Sequence, residues 1–410
     1  MNQISVTGNT PLRFWEGFAC LKEELGLENQ DQGFPVFFEQ APFFGLIITK
    51  NSATIRWNKP SQCYRGLSLL SQHWGTCQEI HQPMAFETAG IMFDVSRNAV
   101  LKPETIRFLL RKMAMLGLNL GMMYTEDTYE VEEYPYFGYL RGKYSKAQLR
   151  ELDDYADALG IELVPCIQTL AHLNRALHWP AMAHMKDTEE VLLVEDEAAL
   201  EFIRAMIRNA TEPYRTKRIH IGMDEAHFLG LGGYLRKHGY TDPFTIMERH
   251  LKNVSGIIRE MGLDAMMWSD MYFRLASPTG GYYDAPFIPE EVMAKAPADI
   301  DLVYWDYYQM DESVYERMME MHAKFPAKTA FACGIWTWTG PAPHPQRALD
   351  TILPGLRQAK KYGVPLTFTT GWGDNGAECP MVAGLYPIVV YGEMCYNNEY
   401  DAAACAARFR

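Results

Sequence analysis

Two neighbouring carboxylates, Asp224 and Glu225, close the stretch Arg218-Ile-His-Ile-Gly-Met-Asp-Glu. A short β-branched run, Ile219 and Ile221, reaches Gly222 and delivers both acids where a strand stops. Paired carboxylates in unlike surroundings separate into an acid and a stabilising base. Other strand-like runs end on residues of the same kind: Asp94 and Arg97, Glu126 and Asp127, His172, Trp268 and Asp270, Tyr304 and Asp306, Trp336 and Trp338, and Trp372, Asp374 and Glu378. This set is acidic and aromatic, with one arginine and one histidine. It suits a polyhydroxylated ring: indoles stack on its C–H faces, while carboxylates and a guanidinium take its hydroxyls. No lysine is prominent among them, which argues against Schiff-base chemistry. Taken singly, each has a structural alternative. His172 could be a satisfied core histidine, each tryptophan a core residue, and Asp94–Arg97 a local ion pair.

Their shared position depends on the elements that carry them. From Gly90 onward the pattern alternates strand and helix. Strands are expected near 91–95, 119–124, 161–167, 218–221, 264–268, 302–305, 329–333 and 366–370. Pro103 just inside one helix and Gly117 just past it are the usual punctuation. Near-continuous apolar strands with helical crossovers predict a parallel sheet. Eight such units predict closure into a (β/α)8 TIM barrel over 86–395. A small α+β domain precedes it over 1–85, with strands around 37–48 and 53–57 and a helix at 61–73. Residues 396–410 read as the start of a C-terminal helical region, cut short. In such a barrel the carboxyl ends of all the strands surround one mouth.

The totals narrow the classes. A chain of 410 residues accommodates one barrel and an accessory domain. A net charge of −13 repels phosphate backbones, so nucleic acid is not expected as a partner, whereas a neutral sugar is not repelled. The 8 cysteines are scattered, with no C-x-x-C pair, and that scatter and the length of the chain argue against a disulfide scaffold. No apolar stretch approaches 18 residues and no leader is evident; a cytoplasmic protein without a membrane span is expected. The sequence is silent on oligomeric state.

Arg218 to Glu225 resembles the His-x-Gly-x-Asp-Glu signature of family 20 glycoside hydrolases, the β-N-acetylhexosaminidases: His220, Gly222, Asp224 and Glu225 all match. Phe93-Asp-Val-Ser-Arg is similar to that family's first-strand motif, Glu126-Asp127 to its acidic pair, Ala171-His172 to the end of its third-strand motif, and Tyr304-Trp-Asp306 to its Tyr-x-Asp element. Two places depart from the pattern. Cys166-Ile-Gln-Thr-Leu stands where Glu-x-Asp-x-Pro-Gly is usual, and the spacer from Trp372 to Glu378 is longer. The resemblance implies an exo-acting, retaining, cofactor-free enzyme acting on a glycan with a terminal 2-acetamido sugar. The substrate's acetamide oxygen would attack in place of an enzyme nucleophile. It implies Glu225 as general acid, with a pKa raised by burial. Asp224 would accept the acetamide N–H, Tyr304 donate to its oxygen, and Asp306 orient that group. Trp268, Trp338 and Trp372 would wall the pocket, and Arg97, Asp374 and Glu378 hold ring hydroxyls. Asp127 and His172 would relay to Glu225.

Alternatives stay open at this level. A conventional two-carboxylate β-glycosidase would take Asp270 or Glu378 as nucleophile, and a non-catalytic sugar-binding barrel would keep Arg97 and the tryptophans without using the acid. A metal hydrolase would draw on His172 and His178, but no His-Glu-x-x-His is present. Asp224-Glu-Ala-His also has the look of a helicase box, but no phosphate loop accompanies it.

Overall fold

The alternating strands of the second region close on themselves. In the computed structural model, which describes residues 1–409, eight parallel strands form a closed barrel. The first six strands of the chain belong to a separate sheet: β1 (Asn2–Gly8), β2 (Leu27–Asn29), β3 (Phe34–Gln40), β4 (Gly45–Ile48), β5 (Ala53–Trp57) and β6 (Gln78–His81). Its order is β2-β1-β3-β5-β4-β6, with β4 antiparallel to both neighbours. Helices Phe14–Leu25 and Ser61–Gln72 complete this N-terminal α+β region. Of its elements, β1, β2, β6 and the first helix escape the sequence pattern. β1 buries only Ile4, so it shows no apolar alternation, and β2 has three residues.

The barrel strands are β7 (Thr88–Asp94), β8 (Leu120–Tyr124), β9 (Glu162–Cys166), β10 (Arg218–His220), β11 (Asp264–Trp268), β12 (Ile300–Trp305), β13 (Thr329–Gly334) and β14 (Leu366–Gly371). β14 pairs with β7 and β9 with β10, which leaves no edge. Every residue of β8 and β14 is buried, as expected for strands covered on both faces. Gly90 is required by close approach: a Cβ there would lie 1.7 Å from the Leu120 carbonyl oxygen across the β7–β8 pair. Helix Lys146–Ala158 starts on a capping box, in which Ser145 and Gln148 exchange side-chain and backbone bonds. No helix among the described residues is long and apolar enough to cross a membrane.

One buried ion cluster joins the N-terminal helices to the barrel. Arg65, wholly buried on helix Ser61–Gln72, pairs with Glu393 of helix Leu385–Tyr396 at 2.7 and 2.9 Å. It also donates to the Leu116 carbonyl and to Gln82, and its guanidinium lies over the Tyr396 ring. Arg408, on the last helix (Ala402–Phe409), reaches the same carboxylate at 3.2 Å. Burial pushes Glu393 up, but Arg65 and Arg408 outweigh it and hold the carboxyl down at about 2. Glu393→Ala leaves Arg65 buried and unpaired, and is expected to cost about 3–5 kcal/mol in chemical denaturation. The stabilisation by Glu393 is expected to be present above the unfolded carboxyl range, about 4, and to fade as pH falls from there toward 2.

Candidate active site

The turn after β10 fixes the geometry. β10 ends at His220, so Asp224 and Glu225 are not on extended backbone. Gly222, Met223 and Glu225 all have positive φ (72°, 76° and 49°). Successive side chains on a strand would diverge; this left-handed path instead brings both carboxylates to one histidine. Gly222 has a second reason to be glycine: a Cβ would meet Gln168 Oε1 at 2.0 Å. Met223 and Glu225 carry strain of about 1–2 kcal/mol each, and the Glu225 N–H is held at 3.1 Å by Asp270 Oδ2. The signature's histidine, His220, is structural. It is buried, its Nδ1 accepts the Gly222 N–H, its ring packs on Trp268, and burial lowers its pKa to about 3.

His172 is where the two acids meet. Its Nε2 lies 3.3 Å from Asp224 Oδ2 and 3.2 Å from Glu225 Oε2, close for ion pairing but off the line of a good hydrogen bond. Burial pushes the imidazole pKa down, yet Asp224 and Glu225 overcome it and bring it up to about 10. Arg97 Nη2 sits 3.3 Å from Nδ1 and works the other way, because that contact needs a bare nitrogen. Burial would also raise both carboxylates. Asp224 is instead held down at about 2 by His172 and by Gln168, whose Nε2 donates at 2.9 Å. Glu225 is lowered too, through His172 and through the Tyr282 hydroxyl, which donates to Oε1 at 2.5 Å. The raised pKa expected for Glu225 is therefore not found. Burial does act in that direction, but two donors outweigh it. The neutral acid here is Asp270: burial, with Asp224 and Glu225 nearby, pushes it up to about 8.

Arg97 organises the other side. It donates to Glu126 (2.8 Å), Asp374 (3.1 Å) and the Tyr124 hydroxyl (3.1 Å), and lies over the Trp372 and Tyr124 rings. Asp94 fixes the loop beneath by accepting the backbone N–H groups of Ser96, Arg97 and Gly373. Gln168 bridges Tyr124 and Asp224. It occupies the third-strand segment that departs from the family pattern, which was the signal available for it.

The pocket between these groups is lined by Arg97, Asp224, Glu225, Asp374, Trp268, Trp305, Tyr307, Tyr308, Trp338 and Trp372. Trp268, Trp338 and Trp372 are thus where the sequence puts them. A larger groove runs between helices Pro243–Glu260 and Glu290–Ala294, but none of the strand-end residues named above lines it.

Four expected site residues lie elsewhere. Tyr304 and Trp305 alternate along β12 and so face opposite ways. Trp305 faces the pocket, while Tyr304 faces the outer helix layer against Tyr315 and His322. Asp306 accepts from the Tyr304 hydroxyl and from the N–H groups of Tyr308 and Gln309; it caps a turn and does not line the pocket. That turn presents Tyr307, whose buried hydroxyl makes no well-formed hydrogen bond among the described residues. Asp127 pairs with Arg141 at 3.3 Å and with Ser96, not with His172, so the expected relay lacks it. Glu378 sits exposed in a left-handed turn outside the pocket. Of the histidines considered for a metal, His172 has donor atoms of Asp224 and Glu225 within 4.8 Å, whereas His178 is exposed and bonds the Arg175 carbonyl.

The catalytic-domain model of glycosyl hydrolase family 20 matches residues 86–317. The chain belongs to this family. Hexosaminidase D of Bos taurus is 26% identical over 201 residues, covering 46% of this chain and 57% of that protein. Hexosaminidase D of Homo sapiens is 27% identical over 201 residues, covering 46% and 40%. The chain thus spans about half the length of the curated relatives it matches. The family 20 exo-β-N-acetylglucosaminidase of Vibrio harveyi, solved with N-acetylglucosamine, superposes with a TM-score of 0.71 at 15% identity, covering 99% of this chain and 72% of that one. A Streptomyces plicatus β-hexosaminidase mutant, solved with the product GlcNAc, gives 0.71 at 14% identity, covering 100% and 89%. At such identities the likeness is one of fold.

The contacts of His172 with Asp224 and Glu225 make it an unusual histidine. Nitrogen-15 NMR of the histidine side chains is expected to show one ring titrating near pH 10. It should vanish in His172→Ala and fall toward the ordinary range, about 6.5, in Asp224→Asn.

Proposed function

We propose that the chain is an exo-acting, retaining β-N-acetylhexosaminidase. It would release terminal β-linked N-acetylglucosamine or N-acetylgalactosamine, with the substrate's acetamide oxygen as nucleophile. The placement of the remaining carboxylates supports this. A conventional dyad needs a separate nucleophile facing the acid across the sugar. Asp270 is wholly buried and accepts the Glu225 N–H and the Trp305 Nε1–H, and Glu378 is exposed outside the pocket. Asp224, beside Glu225 within an indole-lined pocket, suits an acetamide better than an anomeric carbon.

In this scheme Asp224 accepts the acetamide N–H and stabilises the cationic ring that forms. Its low pKa keeps it ionised for that task. Tyr307, which lines the pocket, takes the part that the family motif gives to Tyr304: its hydroxyl would turn from Thr370 and Trp372 to donate to the acetamide oxygen and align it. Trp268, Trp338 and Trp372 enclose the methyl group, while Arg97 and Asp374 take ring hydroxyls. Glu225 protonates the leaving oxygen and then activates water. Its resting carboxylate lacks that proton, and His172 carries one 3.2 Å away.

A panel of chromogenic glycosides is expected to give turnover only with a 2-acetamido group, and a thiazoline analogue should inhibit in the low micromolar range, about as a transition-state analogue does. Equal turnover of plain glucosides would overturn substrate assistance. Glu225→Gln should abolish hydrolysis of substrates with poor leaving groups. Asp224→Asn should cost several orders of magnitude.

The two tyrosines give a sharper comparison. Tyr307→Phe should lower kcat about 10²-fold, the usual effect of losing one donor to a developing charge. Tyr304→Phe should leave kcat within a few fold and lower thermal stability instead. The reverse ranking would restore the role to Tyr304.

A further inference from the structure

Both oxygens of Glu225 are engaged by neighbouring side chains. Oε2 faces inward, 3.2 Å from His172 Nε2. Oε1 faces the segment between helices Asp270–Ala276 and Glu290–Ala294, where Tyr282 donates to it at 2.5 Å. The Glu225 N–H is pinned by Asp270, and its φ is positive. Tyr282 is half-buried and has its own supports: Arg274 lies 4.9 Å over its ring, and the Trp305 ring is 5.2 Å away. Oε2 is taken up by His172, with Asp224 beside it, which leaves Oε1 as the oxygen for a leaving group. Tyr282 already occupies its approach.

We propose that Tyr282 is a positioning residue of the leaving-group side: its hydroxyl holds Glu225 Oε1 in the place of the glycosidic oxygen, which engages the acid only by displacing it. The inference rests on the hexosaminidase activity proposed above. Its chemical consequence is a gated acid. With Tyr282 donating, the ionised carboxylate is favoured. Displacement removes that donor and leaves an ether oxygen, which only accepts, so the protonated acid is favoured once a leaving group is in place. The other charged or titratable groups acting on Glu225 stay as they were: Asp224 on its own turn, His172 beyond β9, Asp270 beyond β11, and Asp374 and Tyr308 at the pocket wall. Arg274 acts on Tyr282 rather than on Glu225.

The test uses the full chain with carboxyl-labelled glutamate, Glu225→Gln identifying the resonance. Tyr282→Phe keeps the ring contacts with Trp305 and Arg274 and removes only the hydroxyl. The Glu225 midpoint is expected to rise by about one pH unit, a tenfold change in proton affinity. In wild type the same rise is expected on adding a sulfur-linked, uncleavable disaccharide of N-acetylglucosamine, and not with the monosaccharide. The basic limb of kcat/KM on a disaccharide should move upward in Tyr282→Phe by a similar amount, a change that loss of packing alone does not produce. An unchanged midpoint in Tyr282→Phe overturns the inference, as does an equal response to mono- and disaccharide. Absence of wild-type turnover on every acetamido glycoside overturns the proposed activity instead, and the midpoint in Tyr282→Phe still decides what holds Glu225.

Discussion

The contact of His172 with Asp224 and Glu225 is the interaction on which the site depends. Two carboxylates on adjacent residues repel each other, and burial makes the repulsion worse. An imidazolium between them relieves both effects, which is why Asp224 stays at about 2 while wholly enclosed. The contact exists only because the chain turns left-handed at Gly222–Met223 and again at Glu225, and because His172 itself has φ 54°. Without those turns, one carboxylate would face the pocket and the other the barrel interior.

The same charge balance explains the neighbours. Arg97 offsets Glu126 and Asp374 and limits how far His172 is drawn into its charged form. Among the described residues no cation pairs with Asp270, which sits under Glu225 with the Glu225 N–H and the Trp305 indole N–H as its donors. It keeps its proton up to about pH 8. The mouth therefore holds its acids in unlike states: Asp224 and Glu225 are lowered, while Asp270 is raised to about 8. Environment alone divides them, because the side-chain chemistry is shared.

The barrel was legible because buried parallel strands are apolar throughout and their helices carry ordinary start and stop signals. The mouth was legible as a set of strand ends, which is enough to bring Arg97, His172, Asp224, Glu225 and the tryptophans together. It failed where the outcome turns on which way a side chain faces one or two residues past a strand. Tyr304 and Tyr307 have the same chemistry; strand alternation and the turn capped by Asp306 decide between them, and neither is visible in a motif. Both departures from the pattern fall where the mouth differs from expectation: Gln168 bridges Tyr124 and Asp224, and Glu378 lies outside the pocket. Tyr282 carries no such mark, since it comes from a long segment whose path depends on packing against Trp305.

The backbone shows where the fold places its strain. Among the described residues, the non-glycine residues with positive φ are Asn98, Leu140, His172, Glu195, Met223, Glu225, Phe228, Tyr283, Trp336, Asp374 and Glu378. All of them follow the carboxyl end of a barrel strand, and none lies in the N-terminal sheet or in the loops entering the barrel. At about 1–2 kcal/mol each for ordinary residues, the sum is of the order of the net stability of a typical domain. Such a ring of strained turns survives only on a scaffold stable without it. Here the scaffold is a sheet with no edge, closed by β14 on β7 and held from the other end by Arg65 and Glu393. Stability and chemistry thus occupy opposite ends of one barrel. Substitutions at the Arg65 end should alter unfolding and spare the pocket, because the strained turns take their geometry from the strands rather than from one another.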